Sequence, residues 1–255
     1  MSILLTESRD AVLTLTLNRP EFRNALSAEL ARTLASAVTN AGHEVRCVVV
    51  RGAPGAFCAG MDLKERRTLD ADGKWEQAQS LRDLTAAIMA SPKPVIAAIS
   101  GWCLGGGFEL ALSCDLRVAT ADAAFGFPEM TLGAYPGGGG AVLVPRVAGI
   151  AAAKRLMFAT DRIDAAEALR LGLVDWCVPA AELEATLQTI EGAIARRSPL
   201  ALAALKRVLD RVNDLPYLDA VAFDAAARRP LEGTADYQEG IAAFFERRPA
   251  VFTGT

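Results

Sequence analysis

PVIAAISGWCLGGGFELALSCD, residues 94–115, is the stretch from which the fold of this chain is predicted. Its residues 95–99 form a compact apolar run, typical of a buried strand, and three consecutive glycines follow at 105–107. The residues after the glycines predict a helix with one acid, Glu109, in its first turn. Glycine amides can be approached closely, and the first amides of a helix have no partner within it. The stretch therefore predicts a strand, a turn and a helix whose first turn favours negative charge.

Strands and helices are predicted to alternate on both sides of this stretch. Residues 11–17 have the two-residue period of a strand, and residues 45–51 are rich in β-branched side chains. Further strands are predicted at 115–120 and 173–178, and further helices at 27–42 and 75–90. We interpret residues 52–60 as a loop and residues 64–73 as a charged, mobile segment. Such alternation is typical of an α/β fold.

The last part of the chain is predicted to be mainly helical. The glycines at 137–140 open a helical segment that ends near Gly149, and Asp164 with Glu167 matches a helix-start box. Four more helices are predicted at 180–197, 199–211, 217–229 and 232–247. In the last of these helices we expect Phe244 and Phe245 to pack.

Composition limits the classes of protein to which the chain can belong. The 255 residues are 52% hydrophobic, which is typical of a large core or of an oligomer that buries further surface. The formal net charge of −3 indicates no general attraction to nucleic acid or to anionic membranes. Five cysteines without a C-x-x-C pair indicate free thiols in a reducing compartment. Because neither a signal-peptide pattern nor an apolar run of membrane-spanning length is found, we expect a cytoplasmic protein that binds neither nucleic acid nor membrane.

Several other kinds of site are not supported by these motifs. Neither glycine turn matches the G-x-G-x-x-G dinucleotide pattern, since Leu110 and Val142 occupy its last position, and neither is followed by G-K-[ST]. His43 is the only histidine and lies in a polar turn, which argues against a Ser/His/Asp hydrolase. No spacing among the acids requires a metal ion, so we expect no metal and interpret Asp115 as a structural hydrogen-bond acceptor.

A second acid in a similar turn gives Glu109 a chemical partner. Glu129 follows Pro128 in FGFPEMTLGAYP, residues 125–136. Two carboxylates beside backbone donors are typical of acid/base catalysis on a substrate that develops an oxyanion. A third stretch, GAFCAGMDL at 55–63, places the amide of Met61 at another strand-to-helix turn. The alternative for Glu109 is an acid that only complements the helix dipole.

These three stretches, in this order, resemble the enoyl-CoA hydratase/isomerase family, the crotonases, from about residue 13 to residue 253. The resemblance implies a spiral of β-β-α units with the acyl-CoA site over residues 1–195, and a helical trimerisation region over residues 196–255. It implies that Glu109 and Glu129 are catalytic. It also implies an oxyanion hole made by the backbone amides of Met61 and Gly106, and substrate binding by Ala59, Lys64 and Gly105.

The implied activity is that of a hydro-lyase that adds water across the 2,3-double bond of an enoyl-CoA thioester in lipid metabolism. Glu129 is expected to give a proton to C2 and Glu109 to hold the water. A homotrimer or hexamer is implied, with no cofactor besides the coenzyme A of the substrate. Three departures from the family pattern leave the substrate open: FPE where many hydratases have QPE, the apolar PGGGGAVLVP, and Met61 where many relatives have alanine.

Three alternatives to this activity remain open. The segments GGGFELAL and SPLALAALK also resemble carnitinyl-CoA dehydratases, which use the same addition and elimination chemistry. An enoyl-CoA isomerase has the same fold and the same oxyanion hole. A non-catalytic acyl-CoA binding protein would retain the pocket, but the presence of both Glu109 and Glu129 argues against it.

Overall fold

The computed structural model describes residues 2–160 and 162–255, which contain ten strands and ten α-helices. The strands are β1 (Leu4–Arg9), β2 (Val12–Leu17), β3 (Cys47–Gly52), β4 (Ala56–Cys58), β5 (Val95–Ile99), β6 (Trp102–Leu104), β7 (Leu116–Thr120), β8 (Ala124–Gly126), β9 (Ile163–Asp164) and β10 (Trp176–Val178). The helices are α1 (Ala28–Thr39), α2 (Leu63–Arg67), α3 (Ala71–Ala90), α4 (Gly106–Ser113), α5 (Gly140–Phe158), α6 (Ala165–Arg170), α7 (Leu183–Ala195), α8 (Pro199–Leu209), α9 (Tyr217–Arg228) and α10 (Ala235–Glu246).

A six-stranded sheet forms the centre of the fold, in the order β1-β2-β3-β5-β7-β10. Strands β1 and β2 pair antiparallel, and the other neighbours pair parallel. Strand β3 is buried on both faces: Val48 and Val50 belong to the main core, whereas Cys47 and Val49 belong to a second core that includes side chains of α7. Parallel strands covered on both faces need such a continuous apolar run. This burial explains why β3 and β5 could be predicted from the sequence.

A second sheet has four strands in the order β4-β6-β8-β9. Strands β4, β6 and β8 are parallel, and β9 pairs antiparallel with β8. Strand-strand-helix units therefore repeat along the chain: β3-β4 precedes α2 and α3, β5-β6 precedes α4, and β7-β8 precedes α5. In each unit the first strand joins the large sheet and the second joins the small one. The predicted α/β spiral of β-β-α units is confirmed.

Several predicted boundaries and segments differ from the structure. Strands β4, β6 and β8 lie in stretches interpreted as loops or turns, and β1 was also not predicted. Residues 64–73 are largely helical rather than a mobile segment, because Asp62 and Asp70 accept hydrogen bonds from the first amides of α2 and α3. The predicted end of a helical segment near Gly149 is confirmed, because Gly149 has non-helical backbone angles (φ 80°, ψ 158°) that divide α5 into two helical parts, the second of which continues to Phe158.

The predicted role of Asp115 as a structural acceptor is confirmed. Its Oδ2 accepts hydrogen bonds from the backbone amide of Val95 at 2.7 Å and from Nζ of Lys206 at 2.8 Å. Lys206 belongs to α8 and is itself buried, and its Nζ also donates to the carbonyl of Ile88 at 3.0 Å. This ion pair therefore joins the C-terminal helices to the start of β5.

The C-terminal helices agree with the predicted ones to within a few residues at each end. Helix α7 ends at Ala195 and α8 begins at Pro199. The division of the chain into a spiral core, residues 1–195, and a C-terminal helical region, residues 196–255, stays a prediction. The rings of Phe244 and Phe245 contact each other, but 76% and 78% of their surfaces are exposed in the single chain, so their packing against other residues stays a prediction. In the part of the chain that the structure describes, no helix is both long and apolar enough to cross a membrane.

Candidate active site

The glycine turn after β6 is packed too closely for side chains. Gly105 has φ of +50°, which disfavours other residues, and a Cβ atom on it would lie 2.4 Å from Oε1 of Glu129. A Cβ atom on Gly107 would lie 2.3 Å from the carbonyl oxygen of Cys58 in β4. The turn thus brings α4 against the small sheet and places the Glu129 carboxyl directly against the backbone of Gly105.

Glu109 lies in the first turn of α4 and is buried. Its Oε1 accepts hydrogen bonds from the backbone amides of Gly138 at 2.7 Å and Gly140 at 2.8 Å, in the turn before α5. Burial raises the pKa of this carboxyl above its ordinary value, and the two amides oppose that shift by stabilising the charged form. One oxygen is therefore held by the backbone, and Oε2 is left for other partners.

Glu129 lies in a 3₁₀-helix, Pro128–Leu132, which begins two residues after β8. Its Oε2 is buried and has no hydrogen-bond partner among the residues that the structure describes. Burial, and then the nearby charge of Glu109, raises the pKa of Glu129 from 4.5 to about 7. Of the two acids, Glu129 is therefore the one in an environment that favours the protonated form near neutral pH.

The amides of Met61 and Gly106 lie near each other at the ends of β4 and β6. A Cβ atom on Gly106 would lie 3.4 Å from the Met61 nitrogen, and a Cβ atom on Gly60 would lie 3.4 Å from the Gly106 nitrogen. Within residues 2–160 and 162–255, neither amide donates a hydrogen bond. The Leu26 amide donates to the carbonyl of Gly60 at 2.8 Å, and the Leu26 carbonyl accepts from the amide of Asp62 at 2.8 Å. The Met61 amide lies between these two hydrogen bonds and takes part in neither. Two neighbouring free amides are suited to bind one oxygen atom that gains negative charge.

An ion pair between the partly buried Arg19 and the buried Asp62 supports the segment that carries Met61. Nη2 of Arg19 lies 2.7 Å from Oδ2 of Asp62, and Nη1 of Arg19 donates to the carbonyl of Ala25 at 2.6 Å. Oδ1 of Asp62 accepts a hydrogen bond from the backbone amide of Lys64, which caps the N-terminus of α2. The sequence analysis did not identify this pair, since its members are 43 positions apart.

The two glutamates and the Met61 segment surround one cavity of about 540 Å³. Of the residues predicted to form the site, five line it: Ala59, Met61, Gly105, Glu109 and Glu129. Gly106 is buried beside it, with its amide next to that of Met61. Lys64 is not among the lining residues, and its ammonium lies over the ring of Phe22, 4.7 Å from the centroid. The structure thus brings together both predicted acids and both predicted amides.

The cavity has further lining residues that the sequence analysis did not single out. Three are cations, Arg66, Arg67 and Lys74, and others are apolar, including Leu63, Ala78, Leu81 and Leu132. The backbone amides of Gly138 and Gly140, which hold Glu109, were also missed, although the glycine run at 137–140 was visible as a signal. In the described part of the chain, no group of three or more His, Cys, Asp or Glu side chains is placed to hold a metal ion.

Comparison with known proteins gives consistent results over almost the whole chain. Residues 7–255 match the family described as Enoyl-CoA hydratase/isomerase. The human Enoyl-CoA hydratase domain-containing protein 2, mitochondrial, is 39% identical, over 93% of this chain and 84% of the relative. The Enoyl-CoA isomerase/hydratase fer4 of Mycosarcoma maydis is 35% identical, over 95% of this chain and 93% of the relative. The crystal structure of Enoyl-CoA Hydratase from Bacillus anthracis superposes with a TM-score of 0.96 at 33% identity and covers 100% of both chains.

Proposed function

Because this chain belongs to the enoyl-CoA hydratase/isomerase family, we propose that it adds water across the 2,3-double bond of an enoyl-CoA thioester. One observation carries the proposal. The buried carboxyl group of Glu109 and the partly buried one of Glu129 line a cavity beside the neighbouring amides of Met61 and Gly106. Addition of water to an enoyl thioester needs both an oxyanion site and two groups that exchange protons.

In the proposed reaction the thioester oxygen accepts hydrogen bonds from the amides of Met61 and Gly106. When water attacks C3, electrons move through C2 onto this oxygen, and the two amides stabilise the resulting enolate. Loss of one such donor costs about 3–4 kcal/mol of transition-state stabilisation in a comparable oxyanion hole. Both donors belong to the backbone, so the role does not depend on the side chain of Met61.

The different surroundings of the two glutamates support different roles in this proposal. Glu109 has two amides on Oε1 that favour its charged form, so Oε2 takes a proton from the water while the hydroxyl bonds to C3. Glu129, whose pKa is about 7, gives its proton to C2 as the thioester carbonyl is restored. One water molecule is consumed, and transfer of a proton from Glu109 to Glu129 restores the starting state. The proposed reaction uses no metal or redox cofactor.

The remaining lining residues indicate how the substrate is held. Three cations at the cavity, Arg66, Arg67 and Lys74, suit the phosphates of coenzyme A, while substrate binding by Lys64 stays a prediction. Apolar side chains such as Leu81 and Leu132 suit an acyl chain. Met61 adds bulk beside the oxyanion site and narrows the space for the acyl group.

Hydration and isomerisation are distinguished by the product. The purified protein is incubated separately with a 2-enoyl-CoA and with a 3-enoyl-CoA. Mass spectrometry reports water uptake, and the absorbance of the conjugated thioester reports movement of the double bond. Hydration predicts that the 2-enoyl-CoA gains the mass of one water. Conversion of the 3-enoyl-CoA to its 2-enoyl isomer, without water uptake from either substrate, would show an isomerase instead.

We also propose that the C-terminal helices pack against further copies of this chain, as a trimer or a pair of trimers. The supporting observation is the number of large apolar side chains exposed on α8, α9 and α10 and on the tail, among them Leu209, Tyr217, Leu218, Phe244, Phe245 and Val251. Patches of this kind are rare on monomers. Light scattering should give a mass of three or six chains, and a monomer at micromolar concentration would contradict the proposal.

A further inference from the structure

A side chain outside the cavity is connected to Glu109 through a single peptide group. Nε of Arg82, on α3, donates to the carbonyl oxygen of Gly137 at 2.6 Å. The N–H of the same peptide group is that of Gly138, which donates to Oε1 of Glu109 at 2.7 Å. The cation, the peptide and the carboxylate therefore form one continuous hydrogen-bonded chain.

Arg82 is held in place by its own contacts. Its Nη1 donates to Oε1 of Gln79 at 2.7 Å, and its guanidinium lies over the ring of Trp75, 4.8 Å from the centroid. One helical turn further along, Oγ1 of Thr85 donates to the carbonyl of Gly138 at 3.0 Å. Helix α3 thus fixes two successive carbonyl groups of the glycine turn.

This arrangement affects Glu109 in two physical ways. A charged donor on a carbonyl polarises the peptide, so its N–H becomes a stronger donor to the carboxylate. The positive charge of Arg82 also favours the charged form of Glu109 directly, and both the glycine amides and this charge lower the pKa of Glu109 against the rise caused by burial. The other charged groups that face the same cavity are Glu129, Arg66, Arg67 and Lys74.

Arg82 does not line the cavity in which Glu109 lies. It borders a neighbouring cavity of about 480 Å³, and Gly137 and Gly138 line both cavities, so the glycine turn forms the wall between them. Arg82 therefore acts on Glu109 through the turn and not on the substrate.

We propose that Arg82 is a positioning residue, which fixes the orientation and the negative charge of the Glu109 carboxylate through the Gly137–Gly138 peptide. This inference rests on the proposed hydration reaction, in which Glu109 accepts a proton from water. Because Glu109 must be charged to do so, loss of Arg82 should weaken catalysis most at low pH.

The kinetic test compares Arg82→Gln and Arg82→Lys with the wild type. We expect the acidic limb of the kcat/KM profile of Arg82→Gln to move up by about one pH unit, which is a tenfold loss on that limb. KM should change less than twofold, since Arg82 does not contact the substrate. Arg82→Lys retains the cation and should recover at least half of the pH shift. The control is Arg32→Gln, which removes an exposed arginine of α1 and should leave the profile unchanged.

A second readout does not depend on turnover. In protein labelled with ¹³C at the glutamate carboxyl carbon, the signal of Glu109 is identified by its loss in Glu109→Gln and is then titrated by NMR. We expect its midpoint to rise by about one unit in Arg82→Gln. If Arg82→Gln does not fold, Arg82→Met, which keeps a long unbranched side chain but removes the charge, takes its place with the same expectation.

The two proposals fail in different ways. A wild type that hydrates no enoyl-CoA refutes the proposed function, while the NMR midpoint still tests the influence of Arg82 on Glu109. A wild type that hydrates its substrate, with an unchanged acidic limb and an unchanged midpoint in Arg82→Gln, refutes the role of Arg82. A parallel fall of kcat at every pH, with no shift of the limb, would show that Arg82 has only a structural role.

Discussion

Replacement of Gly138 by alanine should disturb Glu109 without removing any functional group. A Cβ atom at this position would lie 2.4 Å from Cδ2 of Leu81 and 2.9 Å from Oε2 of Glu109. Ordinary contacts of a Cβ atom begin near 3.4 Å, so the leucine contact must lengthen by about 1 Å. Leu81 lines the same cavity as Glu109, so the added methyl group displaces both the leucine side chain and the Glu109 carboxyl from Gly138.

In free energy the expected loss of activity is similar in size to the expected loss of stability, since a 100-fold change in rate corresponds to about 2.7 kcal/mol. A displacement of about 1 Å at a catalytic group costs on the order of 100-fold in rate. Overpacking of this kind costs about 1–3 kcal/mol of the free energy of unfolding. The assay measures kcat for an enoyl-CoA by the loss of conjugated-thioester absorbance, and urea unfolding of the same preparation measures stability.

The adjacent glycine provides a matched control. A Cβ atom on Gly137 would have only the carbonyl oxygen of Tyr135 nearby, at 3.8 Å, which is an ordinary contact. Gly137→Ala should therefore retain most of the activity of the wild type. Equal rates for Gly138→Ala and Gly137→Ala, in two folded variants, would refute the argument that close packing at Gly138 positions Glu109.

Three further predictions concern titration, stability and assembly. In the folded chain the pKa of Glu129 is about 7 rather than 4.5, so the stability that its protonated form contributes is full below pH 4.5 and is lost as the pH rises through 7. At pH 8 the free energy of unfolding of Glu129→Gln, measured with urea, should therefore exceed that of the wild type by about 1–3 kcal/mol. A variant less stable than the wild type at this pH would contradict the prediction. Arg19→Met leaves Asp62 buried without its cation and should lower the free energy of unfolding by about 3–5 kcal/mol in the same assay, whereas a change below about 1 kcal/mol would refute the importance of the pair. Phe244→Asp with Phe245→Asp should reduce the mass measured by light scattering to that of one chain, and an unchanged oligomer would move the interface elsewhere.

The parts of the fold that could be predicted are those with a local signal. Strand β5 is a buried apolar run, and the three glycines after β6 predict a turn whatever the rest of the fold is. Strands β4, β6 and β8 have three residues each, which is too short for a periodic pattern, and they are defined by pairing with one another. The small sheet was therefore missed, although the spiral to which it belongs was expected.

The same distinction applies to the site. Glu109 and Glu129 stand in recognisable turns, so their sequence context was sufficient to identify them. The groups that tune them come from distant parts of the chain: Gly138 is 29 positions from Glu109, and Arg82 is 55 positions from Gly137. Such contacts depend on how α3, α4 and the turn before α5 pack, and no local pattern reports that packing.

In the proposed reaction, Glu109 and Glu129 act together to hydrate an enoyl-CoA. The most direct test follows the conjugated-thioester absorbance of crotonyl-CoA and of longer 2-enoyl-CoAs with the wild type, Glu109→Gln and Glu129→Gln. Rapid loss with the wild type, and rates lower by about 100-fold or more with each variant, are expected because each variant lacks one proton-transfer group. A wild type that binds enoyl-CoAs without consuming them, or a Gln variant as active as the wild type, would refute hydration by these two glutamates.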